Sequence, residues 1–132
     1  MKEIDKIALV FIQNNRLLVA RSKGQDNYYI PGGKRDIGET DQKALIREIK
    51  EEISVDIIPS SITYLETFKA QAHNKEDGVL VKITCYLAEF TGVIQAAAEI
   101  EEVNFLTYQE KQKCSSVTIL IMDWLQSKGM LS

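Results

Sequence analysis

The chain has few of the residues that build several common kinds of site. Of its 132 residues, two are cysteine and one is histidine. Cys85 and Cys114 stand far apart, with no C-x-x-C or Cys/His spacing around them. That excludes a zinc site or a paired redox motif and leaves them as free thiols in a reducing compartment. His73 lies in a polar turn, where a histidine is more often an exposed loop residue than a proton carrier. No apolar run approaches the roughly 18–20 residues of a membrane span, and Met1-Lys2-Glu3-Ile4-Asp5 lacks the pattern of a secretory signal. The expected location is the cytoplasm. Basic residues are also in the minority, 16 against 19 acidic, giving a net charge of −3 and an isoelectric point near 5.2. Such a balance offers no broad cationic surface to long nucleic acids, so a polyanionic substrate must be small and held by metal ions and a few local cations.

What is present is enough for one domain. Residues 1–132, with 45% hydrophobic content and no repeats or linkers, can bury a substantial core. Residues 7–12 and 17–20 are apolar runs separated by Gln13-Asn14-Asn15-Arg16, a pattern that predicts a β-hairpin with a tight Asn turn. Residues 28–30 read as a short strand, which Pro31-Gly32-Gly33 breaks. A helix follows from about Thr40 to Ile53, with Thr40 or Asp41 as its cap. Residues 62–72 and 79–90 read as longer strands around a polar hairpin, and residues 103–106 as a closing strand. Over 116–128, Val117, Leu120, Ile121, Trp124 and Leu125 recur at helical spacing, with Trp124 read as core. Strands flanking a middle helix and a terminal helix predict an α/β fold with a mixed sheet between helices.

The segment that folding alone does not explain runs from Gly33 to Val55. On a helix of about 3.6 residues per turn, Glu48, Glu51 and Glu52 stand at i, i+3 and i+4 and share one face. Like charges at that spacing destabilise an isolated helix. Usually such a run is a solvated face. Here, however, Leu45, Ile46, Ile49 and Ile53 form an apolar stripe with Glu48 and Glu52 along its edge, which partly desolvates them. A carboxylate cluster of this kind suits a hard cation such as Mg²⁺, which takes carboxylate oxygens and completes its shell with water and phosphate.

With Gly33, five residues, Glu39, seven residues, then Arg47-Glu48-Ile49-Lys50-Glu51-Glu52 and Val55, the segment resembles the signature box of the Nudix hydrolases. Pro31-Gly32 also fits the usual approach to it. One defined position departs from the pattern: Ser54 replaces a glycine just beyond the helix. A residue with a Cβ spends roughly 1–2 kcal/mol to adopt a left-handed cap, so the departure puts the turn after the helix in question and leaves the carboxylates intact.

The resemblance implies an α/β/α sandwich and Mg²⁺-dependent hydrolysis of a pyrophosphate bond, with Mn²⁺ as a substitute ion. By resemblance Glu48 and Glu52 are metal ligands, Glu51 is a direct or water-mediated ligand, and the Gly32 carbonyl is a backbone ligand. Glu48 is also a candidate general base. Arg47 points away from the carboxylate face, which suits an ion pair that orients Glu39 or Glu48. Gly33 lets backbone approach metal and phosphate closely. Arg21 and Lys34 are candidates for phosphate contact. Glu99, Glu101 and Glu102 precede the last strand, where many relatives place an additional acidic site residue, and of these Glu99 and Glu102 are the candidates. The substrate this implies first is a nucleoside triphosphate or its oxidised form, giving a monophosphate and pyrophosphate. Alternatives are an ADP-ribose, sugar-nucleotide or dinucleotide pyrophosphatase and, in another class, a non-catalytic nucleotide-binding regulatory module. An isologous homodimer is the default assembly for a small enzyme.

Overall fold

The computed structural model describes residues 2–71 and 78–132. Its elements, in chain order, are β1 (Lys2–Val10), β2 (Ile12–Gln13), β3 (Arg16–Ser22), β4 (Gly32–Gly33), α1 (Asp41–Ile53), β5 (Asp56–Ile57), β6 (Thr63–Gln71), β7 (Val79–Leu87), β8 (Phe90–Thr91), β9 (Ile100–Leu106) and α2 (Ser116–Ser127). A mixed four-stranded sheet runs in the order β4-β1-β7-β6, with β1 parallel to β7 and the other neighbours antiparallel. A second, antiparallel sheet runs β2-β3-β9, and β5 pairs with β8.

The apolar runs at β1 and β3 are continuous because both of their faces are covered. Alternate side chains divide between two cores. Ile7, Leu9 and Leu18 pack with Ala44, Leu45, Ile49 and Ile53 of α1. Ala8, Val10, Leu17 and Val19 pack with Val117, Ile121, Met122 and Leu125 of α2, together with Val81, Ile83 and Cys85 of β7. This is the helix–sheet–helix layering that the periodicity predicts.

Helix α1 begins where Thr40 caps it, its hydroxyl accepting from the Lys43 N–H at 3.2 Å, with Asp41 in the first turn to meet the helix dipole. It ends at Ser54, which adopts φ 67° and ψ 20° and donates its N–H to the Lys50 carbonyl. The left-handed cap survives without the glycine, and Ser54 also donates its hydroxyl to the Gln95 carbonyl at 2.9 Å. That added hydrogen bond offsets part of the roughly 1–2 kcal/mol that a Cβ costs in this conformation.

Several expectations are corrected. The two apolar runs at the start do not pair with each other along their length. Asn14 and Asn15, at φ 53° and 60°, do make the tight hairpin turn, but only β2 pairs with β3 there, while β1 joins the other sheet. A buried strand cannot use both edges for one neighbour, and the parallel ladder with β7 offers β1 nine paired positions where the hairpin offers two. Residues 28–30 make isolated bridges, Tyr29 to Ala20 and Tyr28 to Cys114, rather than a strand. The strand is instead Gly32–Gly33, which pairs with Ala8 and Ile7 where no side chains obstruct the approach. Leu120, placed on the apolar stripe of α2, is 41% exposed. Trp124 is half-buried, edge-on to Phe68 with centroids 5.5 Å apart, and Lys128 lies over its ring. Cys85 and Cys114 are buried free thiols. The His73 turn lies outside the described residues.

Candidate active site

Two adjacent glycines bring the loop against α1, each for a different steric reason. A Cβ on Gly32 would stand 2.6 Å from the Ala8 Cα, so strand β4 could not lie so close to β1 with a side chain there. A Cβ on Gly33 would stand 2.5 Å from the Glu48 Oε1, so the space it leaves is filled by that carboxylate. Gly33, expected to let backbone approach metal and phosphate, is seen here to make room for Glu48. Gly38, at φ 82° with open space around it, is a turn glycine.

Glu52 is the only buried acidic side chain among the described residues, 3% exposed, and its Oε1 accepts the Gly32 N–H at 3.0 Å. Burial pushes its carboxyl up to about 8, with Glu48 and Glu99 adding to the rise and the Gly32 N–H opposing it. Glu48 is also raised, chiefly by burial, and is pulled back by Arg47. Glu99 lies near enough to share a side-chain hydrogen bond with Glu52. Glu51 is half-exposed and turned towards Arg47 at 3.4 Å. Glu48 and Glu52 thus flank the glycine loop, Glu99 is near enough for its charge to raise the pKa of both, and Glu51 stands at the rim.

Arg47, expected to point away from the carboxylate face, instead reaches two of its members as well as Glu39. Its guanidinium grips Glu39 through two bonds of 2.7 and 2.8 Å, reaches Glu48 at 2.9 Å, and donates to the Lys34 carbonyl at 3.0 Å. Glu39 in turn accepts the Asp36 N–H, and these bonds, those from Arg47 first, hold its carboxyl down to about 2. One bidentate pair therefore closes the whole loop between β4 and α1. The same loop is tied from its other side by Arg35, which bonds Asp41 at 2.5 Å and Asp5 at 3.0 Å, while the Tyr86 hydroxyl donates to Asp41.

The phosphate candidates are placed differently. Arg21 is committed to Glu102 at 3.0 Å, Glu101 at 3.3 Å and the Gln25 carbonyl, because β3 and β9 pair with Arg21 opposite Glu102. Both Arg21 and Glu102 neutralise each other at the sheet edge. Lys34 is exposed, with no ion pair among the described residues.

The sequence reading missed a cavity of about 430 Å³ whose lining includes Lys6, Ala8, Asn27, Tyr29, Gly32 and Ser115. Gly32 is shared between this cavity and the carboxylate site. Tyr29 also faces both: its hydroxyl bonds Ser22, and the charges of Glu52 and Glu99 raise its pKa after burial does. The available signal was the two-residue step from Asn27 to Tyr29 leading into the glycines, which turns alternate side chains to one face.

The donor set fits a hard divalent cation: it offers oxygen ligands alone, and a buried carboxyl beside two other acids lacks a neutralising partner. Among the described residues, no three acidic, histidine or cysteine side chains converge closely enough to hold an ion, with Glu48 bonded to Arg47. The Nudix domain family model matches residues 4–118. The chain belongs to the Nudix family. Nudix enzymes hydrolyse pyrophosphate bonds with divalent metals, and this chain is a hydrolase of that kind. A search of curated proteins finds no match. Among solved structures, the chain is similar to a MutT Nudix hydrolase from Burkholderia pseudomallei, with a TM-score of 0.77, 20% identity, and coverage of 93% of this chain and 98% of that one. It is also similar to the E. coli ORF135 protein, with a TM-score of 0.74, 21% identity, and coverage of 96% and 91%. A third is a bifunctional NMN adenylyltransferase/ADP ribose pyrophosphatase from Francisella tularensis, complexed with AMP and a Mn ion. Its TM-score is 0.69 with 16% identity, over 96% of this chain and 42% of that one. No helix among the described residues is long and apolar enough to cross a membrane.

Proposed function

We propose that this single-domain Nudix hydrolase cleaves a nucleoside triphosphate to a nucleoside monophosphate and pyrophosphate, using Mg²⁺. The observation that carries this reading is Gly32, whose N–H holds the buried Glu52 carboxyl on one side while its backbone lines the 430 Å³ cavity on the other. A cavity near the lower end of the roughly 300–1,000 Å³ range of ligand pockets suits one nucleoside half, placed beside the groups that act on its phosphates. Glu48, Glu51, Glu52 and the Gly32 carbonyl would hold the ion. When bound, Mg²⁺ neutralises pyrophosphate oxygens and lowers the pKa of the attacking water.

The chain's own residues do the rest. Arg47 ties Glu39 and Glu48 to the loop, so that Glu48 is held beside Gly33 before an ion binds. Glu48, half-buried and with a raised pKa, is placed to take a proton from water. Lys34 stands exposed on the loop to meet the departing phosphates. The test is a screen of nucleoside triphosphates, sugar-nucleotides and dinucleotides for phosphate or pyrophosphate release, with Mg²⁺ and with chelator. Metal-dependent release of pyrophosphate from triphosphates, lost in Glu52→Gln, is the expected result. Turnover confined to sugar-nucleotides or dinucleotides would replace the substrate, and metal-independent binding without turnover would replace the reaction.

A further inference from the structure

Ser54 occupies the position where the family pattern has glycine, and its side chain is not idle. Its hydroxyl donates to the Gln95 carbonyl at 2.9 Å. Two more bonds run in the opposite direction between the same two segments: Gln95 N–H to the Ile53 carbonyl and Ala97 N–H to the Glu52 carbonyl, each 3.0 Å. Carbonyls in the last turn of a helix have no partner within it, so segment 95–97 takes over that role for α1. Beyond it, Ala98 adopts a left-handed φ of 53°, the Ile100 N–H returns to the Ala97 carbonyl, and the Lys23 N–H fixes the Glu99 carbonyl at 2.8 Å. A left-handed alanine persists only where its surroundings over-determine it. Glu99 follows two residues after Ala97, the residue bonded to the Glu52 backbone, and is near enough for its charge to raise the pKa of both Glu52 and Glu48.

We propose that the Ser54 hydroxyl is a positioning group that keeps the 95–99 segment in register with the end of α1, so that Glu99 completes the carboxylate cluster around Glu48 and Glu52. The proposal rests on the reading of that cluster as a divalent-cation site. A glycine at position 54 would satisfy the helix cap equally well but would leave the Gln95 carbonyl without its donor. The serine therefore exchanges backbone ease for a tie between two parts of the site that are 41 residues apart in sequence.

Ser54→Gly is the informative variant, because it removes the hydroxyl and relieves the left-handed Cβ at once, so the fold is retained. In chelator, amide exchange at Gln95 and Ala97 is expected to accelerate. Mn²⁺ affinity, measured by titration without any nucleotide, is expected to fall roughly tenfold, the lower end of what loss of a supporting partner costs a metal site. In a Glu99→Gln background the same substitution is expected to change Mn²⁺ affinity little, since the group being positioned has already lost its charge. Wild-type exchange and Mn²⁺ affinity in Ser54→Gly would overturn the proposal, as would an equal loss in both backgrounds. Wild-type protein that binds Mn²⁺ with this Ser54 dependence yet turns over no triphosphate sinks the proposed substrate and leaves the tie standing.

Discussion

Replacing Glu52 by glutamine separates the cost of burying a carboxylate from the work that carboxylate does. In metal-free protein, burial first and the neighbouring Glu48 and Glu99 next push Glu52 from 4.5 up to about 8. An acid whose folded pKa is raised binds its proton more tightly in the folded state, so the native state loses stability as the pH climbs from 4.5 to about 8. The loss accrues at about 1.4 kcal/mol per pH unit and reaches roughly 3 kcal/mol by pH 7. Glutamine is neutral throughout and keeps an oxygen to accept the Gly32 N–H, so the variant escapes the penalty. Thermal unfolding in chelator from pH 5 to 8.5 should show the wild type falling relative to Glu52→Gln. The two should nearly coincide at pH 5, with the variant ahead by several degrees at pH 7, at the roughly 2–8 °C per kcal/mol of a domain this size. Mg²⁺ should then raise the wild type, increasingly at higher pH, and leave the variant unmoved. Parallel curves for the two proteins across the whole range in chelator would refute the reasoning.

Gly33→Ala places a Cβ 2.5 Å from the Glu48 Oε1, so turnover should fall by at least about a hundredfold with circular dichroism unchanged. Arg47→Lys forfeits the two-point grip on Glu39 and the bond to the Lys34 carbonyl; a fall of about 10–100-fold in kcat with little change in KM is expected from steady-state kinetics. Ile4→Trp narrows the cavity from β1, and KM for nucleotide should rise about tenfold while Mn²⁺ affinity holds. Leu45→Ala empties a fully buried position under α1 and should cost about 2–5 kcal/mol in denaturant unfolding.

The carboxylate helix is readable from sequence because everything that defines it is local. Cap, apolar stripe and acidic edge all lie within residues 40–54, and the 3.6-residue period alone places Glu52 against the core and Arg47 away from it. The sandwich is readable for a similar reason, since unbroken apolar runs such as Leu17–Ala20 imply strands covered on both faces. What is not readable is which strand meets which. β1 rejects its hairpin neighbour for β7, about seventy residues later, and nothing in either run encodes that partner. The fate of the outlying charges is hidden for the same reason. Arg21 reads as a phosphate contact until the β3–β9 register sets Glu102 opposite it, and Glu99 is separated from two equally acidic neighbours only by the turn at Ala98.

The pairing of β1 with β7 also sets an order of assembly during folding. β1, the Gly32–Gly33 strand and the carboxylate helix all lie within residues 2–53 and can meet through short loops. The cavity needs Val81 and Ile83 from β7 and Ser115 and Val117 from the approach to α2, so its walls close only once these distant segments have met β1. Long-range contacts are slow to form because the intervening chain must first be ordered. Folding thus sets Glu48 and Glu52 against the glycine loop before the cavity on the other side of Gly32 has closed.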